Sequence, residues 1–373
     1  MPYVSNLTVY PIKSCSGNDV ASSKVGELGL EYDRTWLISD RNGAMFTGRT
    51  HPKITQLRVS TDSNACYLII PNQAPIALES QAWDSAIDVD VWSSSINALS
   101  APSATNLALS EFLGVDCVLS VFTAQSQRKV KNRQSQVAFA DAYPILIVSQ
   151  SSLDELNRRS PETINMAQFR PNIVVQGTEA FAEDHWKRIR IAGVEYELCG
   201  PSSRCIFTTL KPGTEHYDAN KEPLTTLKSF RLGNSGDVYF GENAVALGEG
   251  NISIGDDIEI LETKVPEHYP ELEVQSATSS TTNSEASVSI LFDSWDLSVQ
   301  GNTVDTLLDQ AEDAGLDIPF SCRSGSCGTC KVKLESGEVE VLEDSGLTPQ
   351  ESDEGYILSC SCLPKTDLVI TAG

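Results

Sequence analysis

Four cysteines near the C-terminus constrain this chain more than any other feature of its sequence. Four residues separate Cys322 from Cys327, two separate Cys327 from Cys330, and Cys360 follows after 29 more. Four thiolates with this spacing hold the two irons of a [2Fe–2S] cluster. Two glycines inside the loop leave room for backbone amides to approach the sulfur atoms. The loop therefore predicts a centre that carries one electron at a time.

A structural zinc site and unrelated buried thiols are the other interpretations of these cysteines. Zinc sites favour paired Cys-x2-Cys or histidine spacings, which are absent here. Residues 287–373 resemble the plant-type ferredoxin domain, a small α+β fold of the β-grasp type. The resemblance places the fourth ligand at Cys360, within the stretch from Tyr356 to Pro364, and leaves Cys362 as the one ambiguity.

The charge of the chain argues against two classes of partner. It has 27 basic and 51 acidic residues, a net charge of −24, whereas nucleic acids and anionic membranes attract basic surfaces. From Ser287 to the end, 16 acidic and 4 basic residues give a net charge of −12. Such a local excess serves solubility, and it also suits a basic redox partner.

Length and composition predict several domains joined by a linker. With 373 residues, the chain exceeds the about 250–300 at which a single core stops growing. Residues 266–286 contain two prolines and lead into a stretch with eight Ser or Thr in twelve positions, which predicts a flexible linker. No apolar run is long enough to span a membrane, and the N-terminus lacks a signal-peptide pattern, so a cytoplasmic location is expected.

Short strands dominate the sequence before the linker. Leu7–Lys13, Thr35–Ser39 and Ile54–Val59 are apolar runs with β-branched residues. An Asn-Gly pair predicts a hairpin turn at Asp40–Gly43. Many short strands with few helices predict a mainly β fold, built as one barrel or a pair of barrels.

Three helices are expected from their end signals. The first covers Ala104–Leu113 and ends before a glycine. The second has a capping-box pattern at Ser152–Glu155. The third lies after the linker, where Thr303 caps a helix over Val304–Ala314.

Common cofactor signatures are missing from residues 1–265. No G-x-G-x-x-G motif follows a strand, no P-loop occurs, and the four histidines lie far apart. Cys205 directly follows Arg204, and a neighbouring guanidinium lowers the pKa of a thiol, which favours a ligand or a nucleophile. On these residues alone, a buried structural cysteine is the better interpretation.

Five ordered motifs change that interpretation, because together they resemble the MOSC-domain family with its N-terminal β-barrel domain. They are Tyr10–Cys15, Asp33–Trp36, Phe169–Val174, Ser203–Thr209 and Lys221–Lys228. With the ferredoxin-like tail, the architecture is similar to the bacterial YcbX-type proteins, and residues 1–265 are similar to the mitochondrial amidoxime-reducing component. The resemblance implies a β-barrel domain at 1–120, a MOSC domain at 121–265, the linker at 266–286 and the ferredoxin domain at 287–373.

The resemblance also implies a molybdenum cofactor, whose metal is held by a pterin dithiolene and one cysteine thiolate. The family's metal ligand falls on Cys205. The matching cofactor-contact positions are Lys13, Ser14, Arg34, Arg170, Asn172, Ser203, Arg204 and, less closely, Asn243. Arg and Lys side chains suit the phosphate of the pterin, and Asn and Ser suit its ring edges. The chain departs from its relatives at Cys199, where they often have a cysteine nearer the ligand, and at Ala142 and Tyr143, where the mitochondrial ones have small hydroxyl residues.

The function that the resemblance implies is reduction of amidoximes, hydroxylamines and N-hydroxylated base analogues to amines. Electrons would come from an NAD(P)H-dependent flavoprotein reductase and enter at the [2Fe–2S] domain. Two other functions stay open: a flavin-type oxygenase reductase that ends in a ferredoxin domain, and a non-enzymatic electron or sulfur carrier with a persulfide on Cys205. The content of iron, molybdenum and flavin separates the three.

Overall fold

The computed structural model describes the chain except residues 63–64, 79–82, 84, 93, 234–235, 270–286, 317, 321–324, 326–327, 343 and 345. It divides the chain into two compact units, Met1–Arg231 with Val238–Pro270 and Leu232–Asp237 with Glu271–Gly373. Cys322, Cys327 and most of the predicted linker lie outside the described residues. The four domain boundaries given above stay predictions.

The first unit consists mainly of strands. Its strands are β1 (Tyr3–Val9), β2 (Asn18–Asp19), β3 (Ser22–Gly26), β4 (Gly29–Leu30), β5 (Trp36–Ser39), β6 (Arg58–Asp62), β7 (Ala65–Ile69), β8 (Ile76–Ala77), β9 (Ser85–Val91), β10 (Ser94–Ser100), β11 (Val118–Val121), β12 (Ile145–Ser149), β13 (Ile173–Gln176), β14 (Trp186–Ile191), β15 (Val194–Arg204), β16 (Val238–Ala246), β17 (Gly250–Ser253) and β18 (Ile258–Thr263). Its helices are α1 (Ser103–Leu113), α2 (Gln150–Arg159) and α3 (Leu224–Arg231).

The sheets of this unit confirm the predicted mainly β fold. The largest has the strand order β18-β14-β15-β16-β12-β13-β1-β2, in which β12 and β13 are parallel and α2 connects them. Three smaller sheets have the orders β5-β11-β10-β9, β6-β7-β8 and β17-β3-β4. The two ends of the largest sheet also contact each other, because Tyr3 of β1 bridges to Asp257, next to β18, and Ile258 N donates to the carbonyl of Pro2 at 2.8 Å.

The first unit has several apolar cores, and the chain crosses between two of them near the predicted site. One core packs strands β1, β12, β13, β14 and β15 together, and the other packs α1 against β5, β6, β7 and β11. Val9 belongs to the first core and Ile12 to the second, while Tyr32 contacts both. Lys13 and Arg34 therefore lie beside the crossings, where packing on both sides fixes the backbone.

The ends of the first two helices differ in how well the sequence predicts them. The glycine after α1 has a φ of 77°, as expected for a C-cap. The capping box predicted at Ser152–Glu155 is wrong, because α2 begins at Gln150 and Ser149 accepts the hydrogen bond of Ser152 N. The Ser152 hydroxyl is engaged elsewhere, 2.8 Å from Oε1 of the buried Glu183.

The chain stays attached to the first unit as far as Tyr269. Lys264 donates its backbone N–H to the carbonyl of His185 at 2.8 Å, and its Nζ lies 2.7 Å from Oε2 of Glu242. The guanidinium of Arg231 lies 4.0 Å from the centre of the Tyr269 ring. These contacts fix the chain through the first residues of the predicted linker, which the sequence predicts to be flexible.

The second unit contains a mixed sheet and two short helices. Its strands are β19 (Val288–Phe292), β20 (Leu297–Gly301), β21 (Lys331–Ser336), β22 (Val339–Val341), β23 (Tyr356–Leu358), β24 (Cys362–Pro364) and β25 (Leu368–Ala372), and its helices are α4 (Leu307–Asp313) and α5 (Pro349–Asp353). The order of the main sheet is β20-β19-β25-β21-β23, with β19 and β25 parallel, and β22 pairs with β24. Leu307, Leu308 and Ala311 of α4 pack on this sheet within one core.

The cap predicted for α4 is wrong by three residues. Thr306 caps the helix by accepting from Asp309 N, whereas Asn302 Oδ1 accepts from the backbone N–H groups of Val304 and Asp305. This Asn turn precedes the helix and delays its start. No helix within the described residues is long and apolar enough to cross a membrane.

Candidate functional site

Segments from distant parts of the first unit meet where the sequence predicts a cofactor. Lys13 and Ser14 follow β1, Arg34 precedes β5, Arg170 precedes β13, and Cys205 follows β15. Arg34 Nη2 donates to the carbonyl of Arg170 at 3.3 Å. Ser14, Arg34 and Arg170 have φ angles of 63°, 46° and 57°, which are uncommon for residues with a side chain. Three left-handed residues in three converging loops indicate a site whose shape the surrounding packing enforces.

A buried hydrogen-bond network holds Arg34 in place. Asp33 accepts from Arg34 Nη1 at 2.7 Å, from Tyr10 N at 2.8 Å and from Asn172 Nδ2 at 2.9 Å. Asn172 Oδ1 accepts from Arg34 Nη1 at 3.2 Å and from Leu146 N at 3.1 Å. Burial raises the pKa of Asp33, and the hydrogen bonds from Arg34, Tyr10 and Asn172 oppose that shift. The amide of Asn172 is thus fully engaged inside the protein, where it orients Asp33 and Arg34.

Arg170 carries a buried donor without a partner. Its Nη1 donates to the carbonyl of Cys15 at 2.6 Å, and its guanidinium lies 4.2 Å from the centre of the Tyr10 ring. Its Nη2 is buried and has no hydrogen-bond partner within the described residues. Burial and the nearby charge of Arg34 lower the pKa of Arg170 to about 10. A half-buried cation with a buried, unused N–H group is a ready binding site for an anionic ligand.

A small cavity opens beside Arg170. Its volume is about 190 Å³, and its lining includes Tyr10, Gln168, Arg170, Phe207 and Leu210. Gln168 Nε2 donates to the carbonyl of Thr208 at 2.9 Å, which ties the wall of the cavity to the turn after β15. The cavity therefore joins the loop that carries Arg170 to the turn that begins at Cys205.

Arg204 and Cys205 lie at the end of β15. Arg204 Nε donates to the carbonyl of Phe240 at 2.8 Å, and its Nη1 to the carbonyl of Phe169 at 3.2 Å. Burial lowers the pKa of Arg204 to about 10, and the neighbouring Cys205 opposes that shift. Cys205 is half-buried, forms no disulfide, and accepts at its carbonyl from Thr208 N at 3.0 Å. The sequence thus places a reachable thiol directly beside a fixed cation.

Ser203 and Asn243 lie on the paired strands that lead to this thiol. Ser203 is exposed and pairs with Tyr239 of β16. Asn243 Nδ2 donates to the carbonyl of Pro201 at 3.2 Å, across from the segment that precedes Ser203. Ser203 is accessible to a ligand, whereas the amide of Asn243 supports the strand that carries it.

A second charged group near Lys13 has no signal in the sequence. The Nζ of the buried Lys13 forms an ion pair with Asp141, whose side chain is 73% exposed. Arg128 holds the loop that carries Asp141, because its guanidinium donates to the carbonyls of Ala138, Ala140 and Asp141. Burial lowers the pKa of Lys13, and the pairing with Asp141 acts in the opposite direction. Only the fold brings these residues together, since 128 positions separate Lys13 from Asp141.

Two of the predicted cluster ligands lie close together in the second unit. Cys330 directly precedes β21 and Cys360 follows β23, and these strands pair with Lys331 opposite Leu358. Ser359 donates its N–H and its hydroxyl to the carbonyl of Cys330 at 3.1 and 3.0 Å. Burial raises the pKa of Cys362 to about 12, which disfavours its thiolate form. Cys322 and Cys327 lie outside the described residues.

Comparison with protein families divides the chain into three matched regions. The MOSC N-terminal beta barrel domain matches residues 1–116, the MOSC domain residues 134–259, and the 2Fe-2S iron-sulfur cluster binding domain residues 293–365. Mitochondrial amidoxime-reducing component 1 of Mus musculus is 31% identical over 287 residues, which cover 69% of this chain and 82% of that protein. The chain belongs to the MOSC-domain family that includes the amidoxime-reducing components.

Further relatives belong to the same family. Mitochondrial amidoxime reducing component 2 of Bos taurus is 35% identical over 246 residues, covering 61% of this chain and 72% of that protein. Molybdenum cofactor sulfurase of Oryza sativa subsp. japonica is 27% identical over 263 residues, covering 64% of this chain and 32% of that protein. The MOSC domain and these relatives indicate a molybdenum cofactor, and the iron-sulfur domain indicates a [2Fe–2S] cluster. The protein is thus an oxidoreductase of the MOSC family with a [2Fe–2S] domain.

The residues at the converging loops suit the cofactor of the MOSC family. Its phosphate is anionic, and the loops supply the guanidinium groups of Arg34, Arg170 and Arg204, of which Arg170 has an unused buried donor. The metal needs a thiolate, and Cys205 is the half-buried, disulfide-free cysteine beside these cations. Sequence reasoning missed Asp33 as the anchor of this group, although it stands next to Arg34 in the second motif.

Proposed function

We propose that this MOSC-family protein is a molybdenum-dependent reductase of N-hydroxylated compounds. The reaction is R–NHOH + 2 e⁻ + 2 H⁺ → R–NH2 + H2O, and its substrates are hydroxylamines, amidoximes and N-hydroxylated base analogues. The names of the relatives support this substrate class, because they state that these proteins take part in the reduction of amidoximes, which carry an N-hydroxyl group. When bound, the molybdenum cofactor supplies a centre that exchanges two electrons.

Cys205 holds the metal in this proposal, and the arginines hold the rest of the cofactor. The observation that carries the proposal is the buried Nη2 of Arg170, which lacks a partner within the described residues and lies beside a cavity that reaches the Cys205 turn. Lys13, Ser14, Arg34, Ser203 and Arg204 complete the binding surface, and Asn172 and Asn243 orient the residues beside them.

In this proposal the ion pair of Lys13 and Asp141 also supplies a proton to the reaction. Lys13 holds a proton at its buried Nζ against the carboxylate of Asp141. Because burial lowers the pKa of Lys13, its ammonium gives up that proton more readily than an exposed lysine does. Lys13 is therefore our proposed source of one of the two protons that the reaction consumes, and Arg128 keeps the Asp141 loop in position.

Electrons reach the site in single steps in this proposal. Cys322, Cys327, Cys330 and Cys360 hold the [2Fe–2S] cluster, which accepts electrons from an NAD(P)H-dependent flavoprotein reductase in the cytoplasm. The ferredoxin domain spans residues 287–373 and follows the linker at 266–286, while the barrel domain at 1–120 and the MOSC domain at 121–265 carry the chemistry.

The deciding experiment measures metals, flavin and turnover on the same purified protein. The proposal expects about one molybdenum and two irons per chain, no flavin, and reduction of benzamidoxime to benzamidine with a chemical reductant. Bound flavin without molybdenum would instead identify an oxygenase reductase. Iron without molybdenum and without turnover would identify an electron or sulfur carrier.

A further inference from the structure

The hairpin of β9 and β10 carries a tryptophan in an unfavourable backbone conformation. Trp92 follows β9 directly, and Ser94 of β10 pairs with Val91, so Trp92 lies at the tip of the hairpin. Its φ is 55°, in the left-handed region where such turns normally place Asn, Asp or Gly. A bulky residue held there is a real outlier, and outliers of this kind concentrate at functional sites.

The indole of Trp92 lies against the charged group at Lys13. Trp92 Nε1 donates to Asp141 Oδ1 at 3.1 Å. The guanidinium of Arg49 lies 4.8 Å from the centre of the indole ring, and Lys13 Nζ lies 5.7 Å from it. Trp92, Asp141 and Arg49 therefore form one surface, which we name the indole platform.

The indole platform borders the residues proposed to hold the cofactor. Gly48, which precedes Arg49, packs so closely on the ring of Phe207 that a Cβ there would lie 2.0 Å from a ring carbon. Phe207 is the second residue after Cys205. On the other side, the charge of Asp141 acts on Arg204, the neighbour of Cys205. A ligand on the platform would thus lie beside the proposed metal site.

We propose that the indole platform selects planar amidine-like substrates, with Trp92 as the specificity-determining residue. This inference rests on the proposed function. It adds that the protein recognises the planar N–C–N group of the substrate. The flat N–C–N group of the substrate takes the place of the Arg49 guanidinium over the indole and donates its N–H groups to the Asp141 carboxylate.

Arg49 shows which chemistry the platform accepts. Its guanidinium is a planar N–C–N group with N–H donors, and it lies over the indole within reach of the charge of Asp141. An amidoxime or an N-hydroxylated guanidine has the same planar group, whereas an alkylhydroxylamine has no flat face and a single nitrogen. Stacking on an aromatic ring favours the flat ligand, and a carboxylate favours the one with two N–H donors.

The test compares three proteins of full length, the wild type, Trp92→Gly and Trp92→Phe. Glycine removes the indole and suits the φ of 55°, so the turn is expected to fold. Phenylalanine keeps a ring for stacking but has no donor for Asp141. Trp83→Phe is the matched control, because the Trp83 indole donates to the carbonyl of Leu78 and packs in the second core.

Two readouts follow the substitutions. Calorimetry measures the Kd of benzamidine, a planar amidine that is not reduced, and kinetics give the ratio of kcat/KM for benzamidoxime to that for N-methylhydroxylamine. Trp92→Gly should weaken benzamidine binding and lower the kcat/KM ratio by about tenfold, Trp92→Phe by less, and Trp83→Phe should change neither.

The outcomes separate this inference from the proposed function. Unchanged benzamidine binding in Trp92→Gly would overturn the role of the platform, even if the wild type reduces both substrates. A wild type that reduces neither substrate would overturn the proposed function, and the calorimetry would still decide whether Trp92 binds the amidine. Equal losses for both substrates in Trp92→Gly would also overturn the inference, because they would show a general structural effect.

Discussion

The two units of this protein use charge in opposite ways. In the first unit, the charges at the converging loops are partly buried cations, and burial lowers the pKa of both Arg170 and Arg204 to about 10. In the second unit the charges are mostly acidic and exposed, as at Glu338 and Glu354, and residues 287–373 have a net charge of −12. Nothing in the composition of the whole chain, with its net charge of −24, predicts the cationic site.

The difference indicates two kinds of binding. A buried cation without a full set of partners loses its hydration and regains that energy only when an anion binds, which favours a permanent cofactor. Exposed acids keep their hydration and act over a distance of about 10 Å at moderate salt, which favours a transient partner. Each of the following substitutions or conditions should therefore affect one unit and spare the other.

The largest effect is expected at Cys205. Cys205→Ser should bind little or no molybdenum. Substitution of a residue that merely supports a metal ligand typically lowers activity about 10–100-fold, and loss of the ligand itself should lower it further. Its [2Fe–2S] absorbance should stay that of the wild type, because the cluster ligands belong to the other unit. Metal analysis measures the bound molybdenum, benzamidoxime reduction measures the activity, and visible absorbance measures the cluster.

Cys199→Ser is the matched control for Cys205→Ser. Cys199 lies on β15, which Cys205 directly follows, and it is also half-buried, but burial raises the pKa of its thiol to about 11, so it is a poor ligand. This variant should retain molybdenum and turnover. If Cys199→Ser lost the metal while Cys205→Ser kept it, the metal ligand would be Cys199 instead of Cys205.

The next effect concerns the iron-sulfur cluster. Cys360→Ala should lose the [2Fe–2S] spectrum and all turnover with the flavoprotein donor, while Cys362→Ala keeps both. Val341 of β22 lies opposite Cys362, whose burial disfavours a thiolate. Iron content and visible absorbance decide between the two cysteines. A wild-type cluster in Cys360→Ala, with loss in Cys362→Ala, would move the fourth ligand by two residues.

The class of the fold was predictable from the sequence, and the motifs suggested candidate residues for the site. Which residues pair with the charged side chains of the site was not predictable. Local patterns carry structural information where neighbours in sequence are neighbours in space, as in the α1 C-cap. The motifs contain Lys13, Arg34, Arg170 and Cys205 at widely separated positions of the chain. They do not show that the four meet in one site.

The contacts between distant segments could not be predicted from the sequence. Asp141 has no motif around it, and its pairing with Lys13 depends on the Arg128 contacts that hold its loop. Nothing in the sequence around Trp92 distinguishes it from a residue of a strand. Only its φ and its hydrogen bond to Asp141 indicate a special role. The capping box predicted for α2 is wrong for a related reason, since the buried Glu183 engages the Ser152 hydroxyl.

A smaller effect is expected at Arg170. Arg170→Gln keeps a polar side chain but removes the charge and the unpartnered N–H group, so molybdenum retained per chain after dilution should fall about tenfold or more. The cluster should be unaffected. Arg190→Gln is the control, because Arg190 is an exposed arginine that pairs with Glu195 and Glu259 on the surface of the same sheet. Equal molybdenum in both variants would show that Arg170 does not contact the cofactor.

The smallest effect concerns salt and the acidic unit. The net charge of −12 on residues 287–373 should attract a basic face of the flavoprotein donor, and this attraction is screened as ionic strength rises. The rate with the donor should therefore fall about tenfold between roughly 0.02 and 0.2 M salt. A small uncharged reductant is not steered by the acidic unit, so its rate should stay constant over the same range.

A paired substitution tests whether the exposed acids are responsible. Glu338 and Glu354 are exposed, and neither is a candidate ligand of the cluster or the cofactor. Replacing both with Gln should flatten the salt dependence with the flavoprotein donor and leave the rate with the uncharged reductant unchanged. If the double variant kept the full salt dependence, steering would come from other charges of the chain. If the wild type showed no salt dependence at all, the acids of the second unit would serve solubility alone, and only the buried cations of the first unit would use charge for binding.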